Sequence, residues 1–191
     1  MAAARDDGGA GERLAAAVAG FTARVGKVAP DDLSQPTPCT EWVVGQLVNH
    51  VVGELLWMPP MLEGRTIAEI GDRLDGDHIG SDAGAAWDGA ADAALRAVAA
   101  TDPAQVVHLS YGDVPAAAYV GEVAIDVLIH TWDLARALGV DEQLDPQLVA
   151  AALARLEGHE DELAASGLFA PARPVAADAD PQTRLLAAVG R

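Results

Sequence analysis

Asp126 and His130 stand four residues apart in the segment Glu122–Gly139, EVAIDVLIHTWDLARALG. On a helix that spacing puts both side chains on one face, a turn apart. Around them Val123, Ala124, Ile125, Val127, Leu128, Ile129 and Trp132 leave almost no polar side, the pattern of a helix inside a bundle. An ionised carboxylate in such surroundings is costly unless it is paired or binds a cation. Carboxylate oxygen and imidazole nitrogen both ligate divalent ions, so the pair can supply two ligands to one metal. The same two residues can also form a plain hydrogen bond in a core, and their spacing leaves both readings open.

A catalytic metal site commonly has three protein ligands and an open position. Helical bundles draw such ligands from facing helices. His50 is the candidate third donor, although a lone helical histidine is more often a hydrogen-bonded core residue. Its helix is predicted from about Glu41 to Trp57, with Thr40 as N-cap and Glu41 in the first turn, where the helix dipole favours an acid. Trp42, Leu47, Val51 and Leu55 mark the core face, and Pro59-Pro60 ends or kinks the helix. Glu54, one turn beyond His50, is read as an outer partner or proton acceptor, or as an exposed residue.

The remaining elements must hold these two helices together. Residues 1–11 are small and polar and are read as disordered. Leu14, Ala17, Val18, Phe21, Val25 and Val28 recur at helical spacing from Glu12 to Ala29. The segment 64–80, with His78, reads as a solvated connection. Ser81 or Asp82 opens a third helix through Trp87 and Ala91 to about Ala100, closed by Asp102-Pro103. QVVHLSY, Gly112-Asp113 and VPAAAYV predict a short hairpin or extended arm, with His108 and Tyr111 packing on it or reaching a pocket mouth. Gly139 stops the central helix. Asp145-Pro146 starts a fifth, to about Ser166, whose Glu157, His159, Glu160, Asp161 and Glu162 read as a solvated acidic face. After a Pro-rich stretch, Asp180-Pro181 opens a short last helix. The predicted layout is a bundle domain over 12–166 and a C-terminal extension over 167–191 strapped onto it. The predicted class is all-α in the main.

Composition excludes several functions. The formal net charge is −17 and Lys27 is the single lysine, which argues against the basic surface that nucleic acids or anionic lipids require. No apolar run reaches the roughly 18–20 residues needed to span a bilayer, and the N-terminus has no basic region leading into an apolar stretch. Aromatics make up 4% of the chain while alanine dominates its apolar share, a composition that favours helices. One cysteine, Cys39, forms no internal disulfide; it is read as a packed loop residue, or as a reactive thiol if the nearby helix N-terminus lowers its pKa. A soluble cytoplasmic protein, monomer or homodimer, is expected.

Two blocks, PTPCTEWVVGQLVNHVVGE (Pro36–Glu54) and IDVLIHTWDLARALG (Ile125–Gly139), resemble the actinobacterial DinB-like metal-binding family, which includes mycothiol-dependent maleylpyruvate isomerase. The resemblance runs from about Leu14 through nearly the whole chain, its sharpest elements being PTPC-x-EW, LVNH and the Asp-x-x-x-His-x-WDLA run. It implies a DinB-like four-helix bundle and a metal site at His50, Asp126 and His130. The isomerase has glutamate where this chain has Asp126, and it carries an additional C-terminal domain.

Two imidazoles and one carboxylate leave open positions on a divalent ion. Zinc is the first choice, with nickel, iron or manganese compatible with the same donors. The resemblance further implies mycothiol, a small-molecule thiol, as co-substrate. A free thiol titrates near about 8.5, and metal coordination deprotonates it near neutral pH. Attack of that thiolate on a small electrophile gives an S-transferase or, by addition, bond rotation and expulsion, an isomerase. The alternatives are a non-catalytic metal-binding or sensor module and a metal-free helical core.

Overall fold

The computed structural model describes residues 9–40, 42–158 and 170–191. The chain divides into two compact units, Met1–Asp141 and Glu142–Arg191. In order, the first holds α1 (Gly9–Val25), a 3-10 turn (Pro30–Ser34), α2 (Val44–Leu62), α3 (Ile67–Ile70), α4 (Ala83–Ala100), β1 (Val106–Leu109), β2 (Gly112–Pro115) and α5 (Ala116–Leu138). The second holds α6 (Pro146–Leu156) and α7 (Pro181–Ala188).

The first unit is a four-helix bundle: α1 packs on α5 and α4, and α2 packs on α4 and α5. The apolar periodicity of each helix explains the arrangement. Leu14, Ala17, Val18, Phe21 and Val25 of α1 are buried, as are Leu47, Val48, Val51, Val52 and Leu55 of α2. On α5 burial extends over most of the helix surface from Val123 to Ala135, as expected for a segment with so little polar surface. Trp87 is fully buried on α4 against Phe21 and donates its indole N–H to Thr22 Oγ1 at 2.8 Å. No helix among the described residues is long and apolar enough to cross a membrane.

Local signals account for most element ends. Asp82, Asp145 and Asp180 cap α4, α6 and α7 by accepting first-turn N–H groups. Gly139 ends α5 at φ +65°, a left-handed cap with no Cβ penalty, and Val140 N–H returns to Ala135 O at 3.0 Å. The antiparallel hairpin pairs Val107 with Val114 and His108 with Asp113.

Several boundaries differ from those read in the sequence; α1 ends at Val25, short of the expected Ala29. Helix α1 starts at Gly9, taking in Gly9, Ala10 and Gly11 from the stretch expected to be disordered; Ala10 is buried. Residues 1–8 lie outside the described residues. Helix α2 starts later, with Val43 as its N-cap in place of Thr40, and its cap N–H is taken by Gln46 Oε1 at 3.0 Å; Glu41 lies outside the described residues. It also runs through Pro59 and Pro60 to Leu62. Each proline removes one donor from the ladder, but Met58, Met61 and Leu62 are buried, and Glu63 N–H and Arg65 N–H bond back to the carbonyls of Pro59 and Pro60. Packing outweighs the two lost bonds.

In the second unit α6 packs on α7, with Leu148, Val149 and Ala152 facing the apolar side of α7 at Leu185, Leu186 and Ala187. Gln182 ties the preceding strand of chain by accepting from Leu144 N–H and donating to Glu142 O, both at 2.9 Å. The expected fifth helix, α6, ends at Leu156, short of the expected Ser166, with Glu157 exposed and extended as its C-cap and Gly158 at φ +81° breaking the helical path; His159, Glu160, Asp161 and Glu162 lie outside the described residues.

Candidate metal centre

Helices α2 and α5 bring His50, Asp126 and His130 together. His50 Nε2 is 3.2 Å from Asp126 Oδ2, and His130 Nε2 is 3.4 Å from Asp126 Oδ1. The imidazole planes meet edge to face, with centroids 5.1 Å apart. One ligand atom from each of the three residues lies within 4.8 Å of the others. Two donors held about 2.0–2.1 Å from one tetrahedral zinc ion lie roughly 3.4 Å apart. Each histidine–aspartate spacing is close to that value, one to each oxygen of Asp126, and the donor set suits a divalent ion.

Exposure makes the arrangement asymmetric. His50 and Asp126 keep 28% and 24% of their side-chain surface accessible, whereas His130 keeps 5%. Burial is the largest influence on Asp126 and pushes its pKa up. The charge of His130 and the hydrogen bonds from both imidazoles outweigh it, and the carboxyl is held well below its usual range. For His130 burial opposes the charged form. Asp126, through charge and hydrogen bonding, and then Asp133 and Cys39 reverse that and raise its pKa well above the ordinary histidine value.

Behind the ring, His130 Nδ1 lies 3.0 Å from Asp133 Oδ2, and Asp133 is completely buried. Cys39 Sγ approaches the same oxygen at 3.5 Å. Cys39, His130 and Asp133 form a second set whose ligand atoms lie within 4.8 Å of one another. The carboxylate of that set is fully buried, while the first set has an accessible side through which an ion and its ligands can exchange. The first set is the better candidate centre.

The PTPC-x-EW segment forms the wall of the site. A single antiparallel bridge, Pro36 to Val43, closes it into a loop, reinforced by Val44 N–H to Gln35 O at 2.9 Å and Thr37 Oγ1 to Trp42 O at 2.8 Å. The loop lays Trp42 against His50, with ring centroids 4.6 Å apart, and against His130 at 5.6 Å. Trp42 is only half-buried and lines the site.

Glu54 turns inward. Burial raises its carboxyl pKa, the Asp126 charge adds to the rise, and His50 and His130 oppose it. Tyr119, buried on α5, has its phenol pushed up by burial and then by the charge of Glu54. His78, expected to be solvated, is half-buried: its N–H donates to Asn49 Oδ1 at 2.7 Å, and its ring would touch a Cβ at Gly53 at 3.4 Å. His108 pairs with Asp113 across the hairpin at 2.7 Å, and Tyr111 is exposed, its hydroxyl donating to Glu122. The Arg136 guanidinium sits 4.5 Å above the Trp132 ring. Sequence reasoning did not assign Asp133 or Cys39 to the site. The available signals were the three-residue step from His130 to Asp133 and the position of Cys39 beside Trp42.

The family described as mycothiol maleylpyruvate isomerase N-terminal domain matches residues 14–135, the span that contains α2, most of α5, and His50, Asp126, His130 and Asp133. Two Mycobacterium tuberculosis proteins, Uncharacterized protein MT0763 of strain CDC 1551 / Oshkosh and Uncharacterized protein Rv0738 of strain ATCC 25618 / H37Rv, are each 36% identical to it over 138 residues, covering 70% of this chain and 70% of theirs. No solved structure matches. With its helical bundle and this matched span, the chain belongs to the mycothiol maleylpyruvate isomerase N-terminal domain family.

Proposed function

We propose that this protein binds a divalent metal, zinc in the first place, through His50, Asp126 and His130, and that it acts as a thiol-dependent S-transferase or isomerase on a small electrophile. The observation that carries the reading is the convergence of two imidazoles and one carboxylate from α2 and α5 on one partly open point. Family membership supports a mycothiol-type thiol as the co-substrate.

A bound divalent ion lowers the pKa of a coordinated thiol toward neutrality and so supplies a thiolate nucleophile. The chain's own groups divide the remaining work. With no ion bound, Asp126 accepts from both imidazoles and ties α2 to α5 at the centre; the same three side chains would turn those atoms to a bound ion. Trp42 covers the two rings and shields that side from water. Glu54, with its carboxyl pKa raised, is suited to take the thiol proton and return it to the product carbon. In a transferase the thiol sulfur bonds to one carbon of an activated double bond while the neighbouring carbon gains the proton, or the sulfur displaces a leaving group from the carbon it attacks. In an isomerase the same carbon–sulfur bond forms, the adjacent carbon–carbon bond rotates, and the thiolate is expelled.

The test is elemental analysis of the purified chain beside thiol consumption with a small electrophile. His50→Ala, Asp126→Ala and His130→Ala are each expected to lose stoichiometric metal and thiol consumption together. Turnover that survives in a metal-free variant would overturn the reading. Stoichiometric metal without thiol-dependent loss of any electrophile would leave a binding module in place of an enzyme.

A further inference from the structure

We propose that Asp133 is a positioning residue of the metal centre: it holds His130 by Nδ1 so that Nε2 is presented to the ion as a lone-pair donor. This rests on the metal reading above and adds a residue that the three-ligand set does not contain.

A neutral imidazole carries one proton on two nitrogens, and the partner at one nitrogen fixes the role of the other. An ionised carboxylate only accepts hydrogen bonds. Asp133 Oδ2 accepts from the Cys39 thiol and lies 3.0 Å from His130 Nδ1, which places Nδ1 as the N–H donor and turns Nε2 toward Asp126 and, beyond it, His50. The helix makes this possible. Asp126 lies four residues before His130 and Asp133 three residues after it, so the two carboxylates address opposite nitrogens of one ring.

Asp133 is itself held. It is fully buried, where a mobile carboxylate would be costly, and the Cys39 thiol donates to the same Oδ2 from the bridged loop before α2. Two donors from separate segments thus meet at one oxygen. Outer partners of this kind typically change metal affinity about 10- to 100-fold when removed.

The experiment measures zinc affinity of the full chain by competition with a chromogenic chelator, together with the visible spectrum of the cobalt(II) form. Asp133→Asn is expected to bind zinc about 10-fold more weakly and Asp133→Ala up to about 100-fold more weakly. Both should shift the cobalt bands while the far-ultraviolet circular dichroism stays that of the parent. Nitrogen-15 spectra of the zinc-loaded parent, which need no variant to fold, should place the remaining imidazole proton of His130 on Nδ1. Affinity within twofold of the parent in Asp133→Asn, or that proton on Nε2, overturns the assignment. If His130→Ala holds zinc as tightly as the parent, the metal reading itself fails, an outcome distinct from an unchanged Asp133→Asn beside a metal-free His130→Ala.

Discussion

Where α1 meets α4, Phe21 and Trp87 lie with ring centroids 4.4 Å apart, both fully buried, and the single polar atom of the indole is answered by Thr22. Where α2 meets α5, the contact is made by two imidazoles and a carboxylate that keep up to 28% of their side-chain surface accessible. The first seam gains from apolar area removed from water. The second accepts the cost of partly buried charge and offsets it with hydrogen bonds. The aromatic packing and the candidate centre are thus placed at different junctions of one small bundle, and a change at one should leave the other largely as it was.

The sharpest way to break this separation is at the apolar seam. Trp87→Ala should destabilise the fold by about 3–5 kcal/mol through the cavity it leaves, with zinc bound per folded molecule unchanged. Denaturant melts and metal analysis of the soluble fraction check the two halves of the statement. A proportional loss of metal from folded protein would show that the seams are coupled.

A smaller, pH-dependent effect belongs to the polar seam in metal-stripped protein. Asp126 has a lowered folded pKa, so its contribution is present above the ordinary carboxylate value near 3.8 and is lost as pH falls through the folded value. His130 has a raised folded pKa, so its contribution is present below the ordinary histidine value of 6.5 and is lost as pH rises through the folded value. The stabilisation from this pair should therefore be fullest between about pH 4 and 6.5. Melting curves across pH should show that window in the parent and lose it in His130→Ala.

The smallest effect tests how closely the His78 loop is fitted. A Cβ at Gly53 would meet the His78 ring at 3.4 to 3.5 Å, an ordinary contact. Gly53→Ala should therefore stabilise α2 by about 0.5–1 kcal/mol, the helix cost of glycine. A destabilised variant would mean that the ring cannot give way.

The bundle was legible because each helix writes its buried face in apolar residues at helical spacing, and because Asp82, Asp145, Asp180 and Gly139 are strong local punctuation. The pair Asp126 and His130 was legible because four residues is one helical turn. His50 could be proposed as a third donor, yet its meeting with the other two depends on how α2 lies across α5, which no local spacing contains. Asp133 lies three residues from both His130 and Arg136, and helical spacing alone does not choose between them. In the structure its Oδ2 meets His130 and Cys39, and the guanidinium lies over Trp132. Glu54 turned inward because α2 presents that side to α5, a tertiary fact. The persistence of α2 through two prolines was illegible for the same reason: the chain-local penalty is visible in sequence, the packing that outweighs it is not.

The two oxygens of Asp126 are divided between neighbours on different helices, one at 3.2 Å and one at 3.4 Å. A slide of α2 along α5 by one residue's rise, about 1.5 Å, would carry the His50 contact beyond hydrogen-bonding reach. The carboxylate thus works as a vernier: the alignment of two rods and the shape of the centre are one and the same variable. Strain introduced far along either rod would be read out at the centre before it was visible anywhere else in the bundle.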